Sequence, residues 1–288
     1  MKNLNLFIQL TRLDKPIGYM LLFWPCAWGL TIAYNFKNDL NIFYFYLLLF
    51  FLGSVFMRSA GCIVNDIADR NFDKKVKRTK NRPIASGKIS IFLASVYATI
   101  LCLLAFIVLI NFNSLTIILA IASMPLAFSY PLMKRFTYWP QLFLGITFNY
   151  GLLLAWISIH EGISLPPVLL YLGAIFWTLG YDTIYGYQDI RDDEIIGVKS
   201  TSIKFKNNPK KILYLFYLTT LLSLVIIGYL MKFNYIYFIF LTVPLLHFFV
   251  YQIGNLDIKN STSCLKLFKS NNWVGLIVFL NLLVGKIL

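Results

Sequence analysis

The chain of 288 residues carries 26 Lys and Arg against 12 Asp and Glu, a formal net charge of +14, and 59% of its residues are hydrophobic. Only 13% of the residues are charged, whereas a soluble domain has about 25%, and the mean hydropathy is +0.71. This composition excludes an ordinary soluble protein and indicates an integral membrane protein.

Several apolar stretches are long enough to cross a bilayer as helices, since about 20 apolar residues suffice. The first is not expected to be a cleaved signal peptide, because no small-residue cleavage site follows it. We therefore predict an all-α integral membrane protein with nine transmembrane helices. In chain order the predicted helices cover residues 17–35, 42–64, 89–110, 114–131, 138–159, 164–186, 211–231, 234–253 and 270–288.

The distribution of Lys and Arg predicts the orientation of the chain. Of the 26 basic residues, all but Lys37, Lys232 and Lys286 fall in the N-terminal segment or in alternate loops and their flanks. Cytoplasmic loops are enriched in Lys and Arg, so the N-terminus is expected in the cytoplasm. The net charge then reflects topology, and nucleic-acid binding is not expected. We predict the cell inner membrane of a bacterium, with an organellar inner membrane as the alternative.

Eight of the 12 acidic residues lie in two short stretches, at the ends of the second and sixth predicted helices. The first stretch is NDIADRNFD, and the second is YDTIYGYQDIRDDE. On a continuous helix, residues 66, 69 and 73 fall within about 60° of one another, and residues 182, 189 and 193 within about 40°. Each half of the chain is therefore predicted to contribute one helix end whose carboxylates point in one direction, a faint internal repeat.

Two such acidic faces favour metal binding over a solvated loop in which acids pair with Lys and Arg. Carboxylates near membrane depth are costly and usually face a cavity or a partner. Hard oxygen ligands suit Mg²⁺, which is typically shared with substrate phosphates. The nearby Arg78, Arg82 and Lys199 suit phosphate oxygens. The sequence thus predicts Mg²⁺ and a diphosphate at the cytoplasmic rim, with a lipid tail among the apolar helices.

Histidine and cysteine residues do not indicate a further metal site. The four cysteines have neither pairing nor metal-like spacing, and they are interpreted as small buried side chains. His160 and His247 are interpreted as structural.

The acidic stretches resemble the two aspartate-rich motifs of the UbiA family of membrane prenyltransferases, as NDIADRNFD with RTKNRP and as YDTIYGYQDIRDDEIIGVKST. Within the family, RLDKPIGYMLLFWP, YPLMKRFTYWPQLFLGITFNYG and GVKST resemble the 4-hydroxybenzoate polyprenyltransferases of ubiquinone synthesis. These matches span residues 12–204, and the last three helices match only in hydropathy. The resemblance implies one prenyltransferase domain over residues 1–288, with nine transmembrane helices around a central cavity.

The resemblance also implies the roles of individual residues. Two Mg²⁺ ions and the prenyl diphosphate would be held by Asn65, Asp66, Asp69, Asp73, Asp189 and Asp193, with Asp182 and Asp192 as further candidates. Diphosphate ligands would be Arg78, Arg82, Lys134 and Lys199. The acceptor carboxylate would be bound by Arg135, with Arg12 and Lys15 as further candidates at the same rim. Tyr130 and Tyr185 flank the motifs and could stabilise a prenyl cation.

The predicted reaction is a Mg²⁺-dependent electrophilic aromatic substitution that joins the prenyl group to C3 of 4-hydroxybenzoate. Either Asp189 or the released diphosphate would accept the ring proton. One alternative is the same chemistry on haem, a naphthoate, homogentisate or a glycerol phosphate lipid. Another is a divalent-cation transporter, which the location of the acids at one rim among several cations disfavours. No obligate protein partner is expected.

Overall fold

The structure, a computed structural model, describes residues 2–288. Within that range the chain is helical and contains no strand, so the predicted all-α class is confirmed. A 3₁₀-helix covers Tyr130–Arg135, and a π-helix covers His247–Ile253. The α-helices are α1 (Lys2–Thr11), α2 (Ile17–Ala33), α3 (Leu40–Ala68), α4 (Arg70–Asp73), α5 (Ile91–Leu109), α6 (Ser114–Ser129), α7 (Pro140–His160), α8 (Leu165–Gly186), α9 (Ile190–Ile196), α10 (Thr201–Lys204), α11 (Pro209–Leu230), α12 (Tyr235–Phe240), α13 (Thr242–Leu246) and α14 (Ser261–Ile287).

Eight helical units within residues 2–288 are long and apolar enough to cross a membrane. They are α3, α5, α6 with the 3₁₀-helix, α7, α8, α11, the continuous unit Tyr235–Ile253, and α14. The apolar helix α2 has 17 residues and spans about 25 Å, slightly less than a hydrocarbon core of about 30 Å. The protein is thus a multi-pass membrane protein, and the count of nine stays a prediction that depends on α2.

The last helix begins at Ser261, so the predicted start near residue 270 is wrong. Asn260 caps α14 by accepting a hydrogen bond from the backbone N–H of Ser263 at 3.0 Å. The polar run STSCLKLFKSNN looks like a loop by hydropathy, but it forms the first turns of the helix. These turns bring Lys269 to the end of the molecule that carries the acidic motifs.

Each acidic motif was predicted to lie on one continuous helix. In the structure, both helices are interrupted within the motif. Helix α3 ends at Ala68, and Asp69 leaves the helical conformation with φ −94° and ψ 3° before the short α4 begins. Helix α8 ends at Gly186, and Asp189 likewise leaves the helix, with φ −114° and ψ 7°, before α9. Each motif is therefore a helix end followed by a turn and a short helix.

Helix α2 lies at the centre of the bundle, packed against α3, α7 and α14. Gly29 allows its close approach to α7, because a Cβ atom there would collide with the backbone carbonyl of Leu152. The rings of Trp28 and Trp177 pack against each other in the core, with their centroids 4.9 Å apart. Large apolar side chains of α5 face outward, such as Phe92 at 80% exposed, as suits contact with lipid.

The antiparallel order of the helices places both acidic motifs at the same end of the bundle. Helix α3 leads to that end and α5 leads away from it, so residues 69–90 form a cap there. Helix α8 leads to the same end and α11 leads away from it, so residues 187–208 form a second cap there. The 3₁₀-helix contacts both caps through Lys134. The Lys134 ammonium pairs with Asp69, and the Lys134 carbonyl accepts a hydrogen bond from the backbone N–H of Lys199 at 2.8 Å.

Candidate active site

A cavity of about 1050 Å³ opens between the two caps and extends into the bundle. Its walls come from the turn between α1 and α2, from α3, α7, α8 and α14, and from both caps. Fourteen residues predicted from the sequence line it: Arg12, Lys15, Asn65, Asp69, Asp73, Arg78, Arg82, Tyr130, Lys134, Asp182, Tyr185, Asp189, Asp193 and Lys199.

Two carboxylates of the first motif face the cavity. Asp69 is 3% exposed and pairs with Lys134 through Oδ2, while its Oδ1 is buried with no hydrogen-bond partner. Burial raises the pKa of Asp69, although the charge of Lys134 opposes the rise. Asp73 accepts a hydrogen bond from Arg82 at 2.8 Å. A buried carboxylate oxygen without a partner is costly, so Asp69 is suited to a further cation.

Asp66 lies behind the cavity wall, with 1% of its surface exposed. It pairs with Arg12 and with Arg82, the latter at 3.1 Å. Arg12 has a left-handed backbone, with φ 56°, directly after α1. Such strain in a non-glycine residue is sustained by its surroundings, here the ion pair that holds the guanidinium at the cavity. Because Asp66 does not line the cavity, unlike Asp69 and Asp73, its contacts favour positioning of the two arginines.

The second motif is joined to the first cap by hydrogen bonds. Arg78 Nε donates to both oxygens of Asp189, at 2.8 and 2.9 Å, and Arg78 Nη1 donates to the hydroxyl of Tyr185 at 3.1 Å. Asp192 accepts from the backbone N–H of Lys77 at 3.1 Å and does not line the cavity. Burial, followed by the charge of Asp189, raises the pKa of Asp193 to about 6. The two motifs thus face each other, and Asp192 contributes to their connection.

Buried hydroxyl and amide groups anchor the second cap. The backbone N–H of Thr201 donates to Gln141 Oε1 at 2.9 Å, and the hydroxyls of Thr201 and Thr183 lie 2.7 Å apart. Ser202 donates to the carbonyl of Thr183 at 2.8 Å. Gly186 leaves room for Ser202, since a Cβ atom at Gly186 would collide with the Ser202 hydroxyl. These contacts fix the segment that carries Lys199 against α7 and α8.

Arg135 does not line the cavity, although the sequence made it the first candidate for the acceptor carboxylate. Its guanidinium donates to the carbonyl of Ala68 at 2.8 Å and lies 5.2 Å from the ring of Phe72. These contacts hold the exposed side chain against the outside of the first motif, so the geometry offers no support for that role.

Arg58 lines the cavity and was missed by the sequence interpretation. It lies on α3, ahead of Asn65, where its Nη1 donates to Cys62 Sγ at 2.9 Å and its guanidinium lies 5.4 Å from the ring of Phe148. Its Nε is buried with no hydrogen-bond partner. An arginine inside an apolar span is itself a functional signal, and it was available in the sequence.

Helix α14 supplies further cavity residues that were also missed. Lys269 and Asn272 line the cavity, and Asn272 accepts a hydrogen bond from Trp24 Nε1 at 2.9 Å. The ring of Phe268 lies 4.5 Å from that of Tyr185. Phe268 and Lys269 precede the predicted start of this helix at residue 270, and no acidic or basic motif marked Asn272.

The donor set fits a hard divalent cation, although each motif is held by cations of the chain itself. Within residues 2–288, no group of three or more His, Cys, Asp or Glu side chains is arranged to hold a metal. Instead Asp69, Asp73 and Asp189 pair with Lys134, Arg82 and Arg78. The unpartnered oxygen of Asp69 and the oxygen-only ligands agree with Mg²⁺ chemistry.

Fold and site together define a multi-pass membrane protein with an acid- and cation-lined cavity at one end of the bundle. Residues 22–283 match the UbiA prenyltransferase family, and the chain belongs to that family.

Curated relatives match along almost the whole chain. The 4-hydroxybenzoate octaprenyltransferase of Psychromonas ingrahamii is 44% identical over 283 residues, covering 97% of this chain and 96% of the relative. The mitochondrial 4-hydroxybenzoate polyprenyltransferase of Drosophila pseudoobscura pseudoobscura is 44% identical over 285 residues, covering 98% of this chain and 70% of the relative. The family assignment therefore rests on sequence as well as fold.

Solved structures share the fold. An apo UbiA homologue from Aeropyrum pernix K1 has a TM-score of 0.75 at 22% identity, covering 93% of this chain and 98% of the other. A UbiA homologue from Archaeoglobus fulgidus, bound to DMAPP and Mg²⁺, has a TM-score of 0.70 at 18% identity, covering 98% and 99%. At these identities the likeness establishes the helical architecture alone.

Proposed function

We propose that the protein transfers a polyprenyl group from polyprenyl diphosphate to C3 of 4-hydroxybenzoate, a step of ubiquinone biosynthesis. The relatives of that activity, 44% identical over nearly the whole chain, support the donor and the acceptor. The observation that carries the proposal is the cavity, which combines two carboxylate motifs, several cations and an aromatic wall. Such a set can hold a diphosphate, a prenyl chain and an aromatic acid together.

In this proposal Asn65, Asp69, Asp73, Asp189 and Asp193 would hold Mg²⁺. When bound, Mg²⁺ would neutralise the diphosphate and assist its departure as a leaving group. The Archaeoglobus fulgidus homologue bound to DMAPP and Mg²⁺, which has the same fold, supports the use of Mg²⁺ with a prenyl diphosphate. Lys134, Arg78 and Arg82, which pair with these carboxylates in the structure, would then be available to the diphosphate.

Cations released from the carboxylates bind the diphosphate oxygens. Arg78 and Arg82 provide planar guanidinium groups that bind two oxygens at once, and Lys134 and Lys199 provide point charges. Arg12 and Lys15 line the same cavity. Binding of the diphosphate would thus replace carboxylate partners of these cations with phosphate oxygens.

The apolar depth of the cavity protects the prenyl group as the C–O bond breaks. Phe148, Tyr185 and Phe268 line it with aromatic rings. Aromatic faces attract a cation, and the exclusion of water prevents its hydrolysis. The positive charge that develops on the prenyl group is therefore directed to the acceptor ring.

Arg58 replaces Arg135 as the proposed ligand of the acceptor carboxylate. It lines the cavity and retains an unpartnered Nε, whereas Arg135 points to the outside of the first motif. A guanidinium can bind a carboxylate through two parallel hydrogen bonds. This contact would orient the ring of 4-hydroxybenzoate toward the prenyl diphosphate.

Prenyl transfer by the purified protein in nanodiscs tests the proposed function. The protein receives 4-hydroxybenzoate and geranyl diphosphate, with Mg²⁺ or with EDTA, and product mass and pyrophosphate release are measured. We expect 3-geranyl-4-hydroxybenzoate with Mg²⁺ and none with EDTA. Asp69→Asn should lose the activity, whereas Asp257→Asn, an exposed acid outside the cavity, should retain it.

Other outcomes would separate the alternatives. Failure with several prenyl diphosphates by a folded protein would reject the benzoate acceptor. Product from a naphthoate or homogentisate alone would keep the reaction class and change the acceptor. Metal uptake by proteoliposomes without prenyl diphosphate would instead support a cation transporter.

A further inference from the structure

Asp182 differs in position from the other carboxylates of the cavity. The position matters because the proposed function does not say which group accepts the ring proton. It lies one turn before the end of α8, whereas Asp189 and Asp193 belong to the cap beyond the helix. Its side chain lines the cavity together with Tyr130, Phe148 and Arg58. Asp182 therefore lies on the side of the cavity where the acceptor ring is proposed to bind.

Within residues 2–288, Asp182 has neither an ion pair nor a side-chain hydrogen bond. Asp66, Asp69, Asp73 and Asp189 all pair with Arg or Lys. Asp193 also has no ion pair and no side-chain hydrogen bond within residues 2–288, but it lies on α9 in the second cap. Asp182 is half-buried and open to the cavity, so its oxygens remain accessible to a bound molecule. A free carboxylate beside an apolar chamber is available to take a proton.

Arg58 and Asp182 both line the cavity, and they lie close enough for the guanidinium charge to act on the carboxylate. The same guanidinium is the proposed ligand of the acceptor carboxylate. If Arg58 holds one end of the benzoate, Asp182 faces the ring from the same part of the cavity. The arrangement therefore places a carboxylate beside the proposed position of the ring.

The carboxylates of the second cap are less suited to that task. Both oxygens of Asp189 accept from Arg78, at 2.8 and 2.9 Å. With substrate bound, Arg78 is proposed to bind the diphosphate instead, and Asp189 and Asp193 would then hold Mg²⁺ through their lone pairs. Neither is then free to take a proton from carbon.

We propose that Asp182 is the catalytic base that removes the C3 proton of the acceptor ring; this inference rests on the proposed function. As the allylic C–O bond breaks, its electron pair leaves with the diphosphate. The ring carbon C3 forms the new C–C bond to C1 of the prenyl group. The C3–H bond then breaks, its electron pair restores the aromatic ring, and the proton passes to the Asp182 carboxylate. After product release the proton returns to water.

The test is a deuterium isotope effect on turnover by Asp182→Asn, which keeps the size of the side chain and removes the base. The substrates are geranyl diphosphate and 4-hydroxybenzoate deuterated at C3 and C5. In the wild type, loss of the ring proton is fast and the isotope effect is near unity. In the variant we expect kcat to fall by about 10²- to 10⁴-fold, the usual contribution of a general base, and a normal primary isotope effect to appear.

The control is Asp193→Asn, which should lower turnover through Mg²⁺ and leave the isotope effect near unity. A slow Asp182→Asn variant without an isotope effect would overturn the inference, and so would a fully active one. If the wild type itself yields no prenylated benzoate, the proposed function fails first. If the wild type is active but Asp182→Asn shows no isotope effect, the proposed function is retained and only the role of Asp182 as base is refuted.

A second variant covers the case in which Asp182→Asn does not fold. Asp182→Ala leaves space for a small carboxylate, and formate should restore part of its turnover in proportion to the formate concentration. Formate should not restore Asp193→Ala. A folded Asp182→Ala variant that formate leaves unchanged would refute the assignment.

Discussion

Carboxylates of the same residue type take different tasks in this cavity according to their partners. Asp66 is buried between two arginines, Asp69 keeps one oxygen without a partner, and Asp182 has no polar partner within residues 2–288. Sequence spacing indicated that these acids act together, and it could not separate their roles. The distinction depends on Arg12 and Lys134, which come from distant parts of the chain.

The two arginines proposed for the acceptor carboxylate can be separated by kinetics. Arg58→Gln should raise the KM for 4-hydroxybenzoate and leave the KM for prenyl diphosphate nearly unchanged. A hydrogen bond to a charged group contributes about 1.5–3 kcal/mol, which corresponds to roughly 10- to 150-fold. Arg135→Ala is the matched control and should leave both KM values near those of the wild type.

The measurement is initial velocity against each substrate in nanodiscs with excess Mg²⁺. A larger rise in the acceptor KM for Arg135→Ala than for Arg58→Gln would restore the prediction made from the sequence. Sequence reasoning chose Arg135 because the YPLMKR stretch resembles the family. Only the folded chain shows that its guanidinium is held by Ala68 and Phe72 outside the cavity.

At the scale of elements, short helices and turns do more than the long helices to shape the site. The transmembrane helices were predicted within a few residues, because apolar length is a strong signal. The breaks at Asp69 and Asp189 and the early start of α14 were missed. Hydropathy cannot distinguish a polar helical turn from a loop, and here the choice depends on caps such as Asn260.

The anchor of the second cap can be tested at Gln141. Gln141→Leu removes the acceptor of the Thr201 N–H and leaves a buried donor unsatisfied, a cost of about 1–3 kcal/mol. The loosened segment carries Lys199, so we expect the KM for prenyl diphosphate to rise several-fold more than that for 4-hydroxybenzoate. Gln141→Glu keeps the accepting oxygen and should recover most of the loss.

A control separates this positioning role from general loss of stability. Gln252 is fully buried and accepts a hydrogen bond from Tyr217 at 2.5 Å, away from the cavity. Gln252→Leu should lower the thermal unfolding temperature as Gln141→Leu does, while leaving the ratio of the two KM values unchanged. An equal change of that ratio in both variants would show that the Gln141 contacts do not position the cap.

At the scale of the whole molecule, the charge distribution and the fold indicate the same orientation in the membrane. The end of the bundle that carries both motifs also carries most of the Lys and Arg, so the cavity is expected to open to the cytoplasm. A cytoplasmic opening suits a water-soluble acceptor and a released pyrophosphate, while the prenyl chain stays among the helices. Charge alone predicted this polarity, and the structure adds that the cavity opens at the basic end.

Labelling of single cysteines tests the orientation. Ser164 lies in the exposed loop between α7 and α8, and Asn207 lies in the exposed loop between α10 and α11. Because α8 separates the two loops, they emerge at opposite ends of the bundle.

In intact cells a membrane-impermeant maleimide should label Ser164→Cys, whereas Asn207→Cys should react only after the membrane is permeabilised. The four native cysteines are replaced by serine or alanine in an active background first, so that the signal reports one site. The reverse pattern would place the cavity on the outer side and contradict the charge rule.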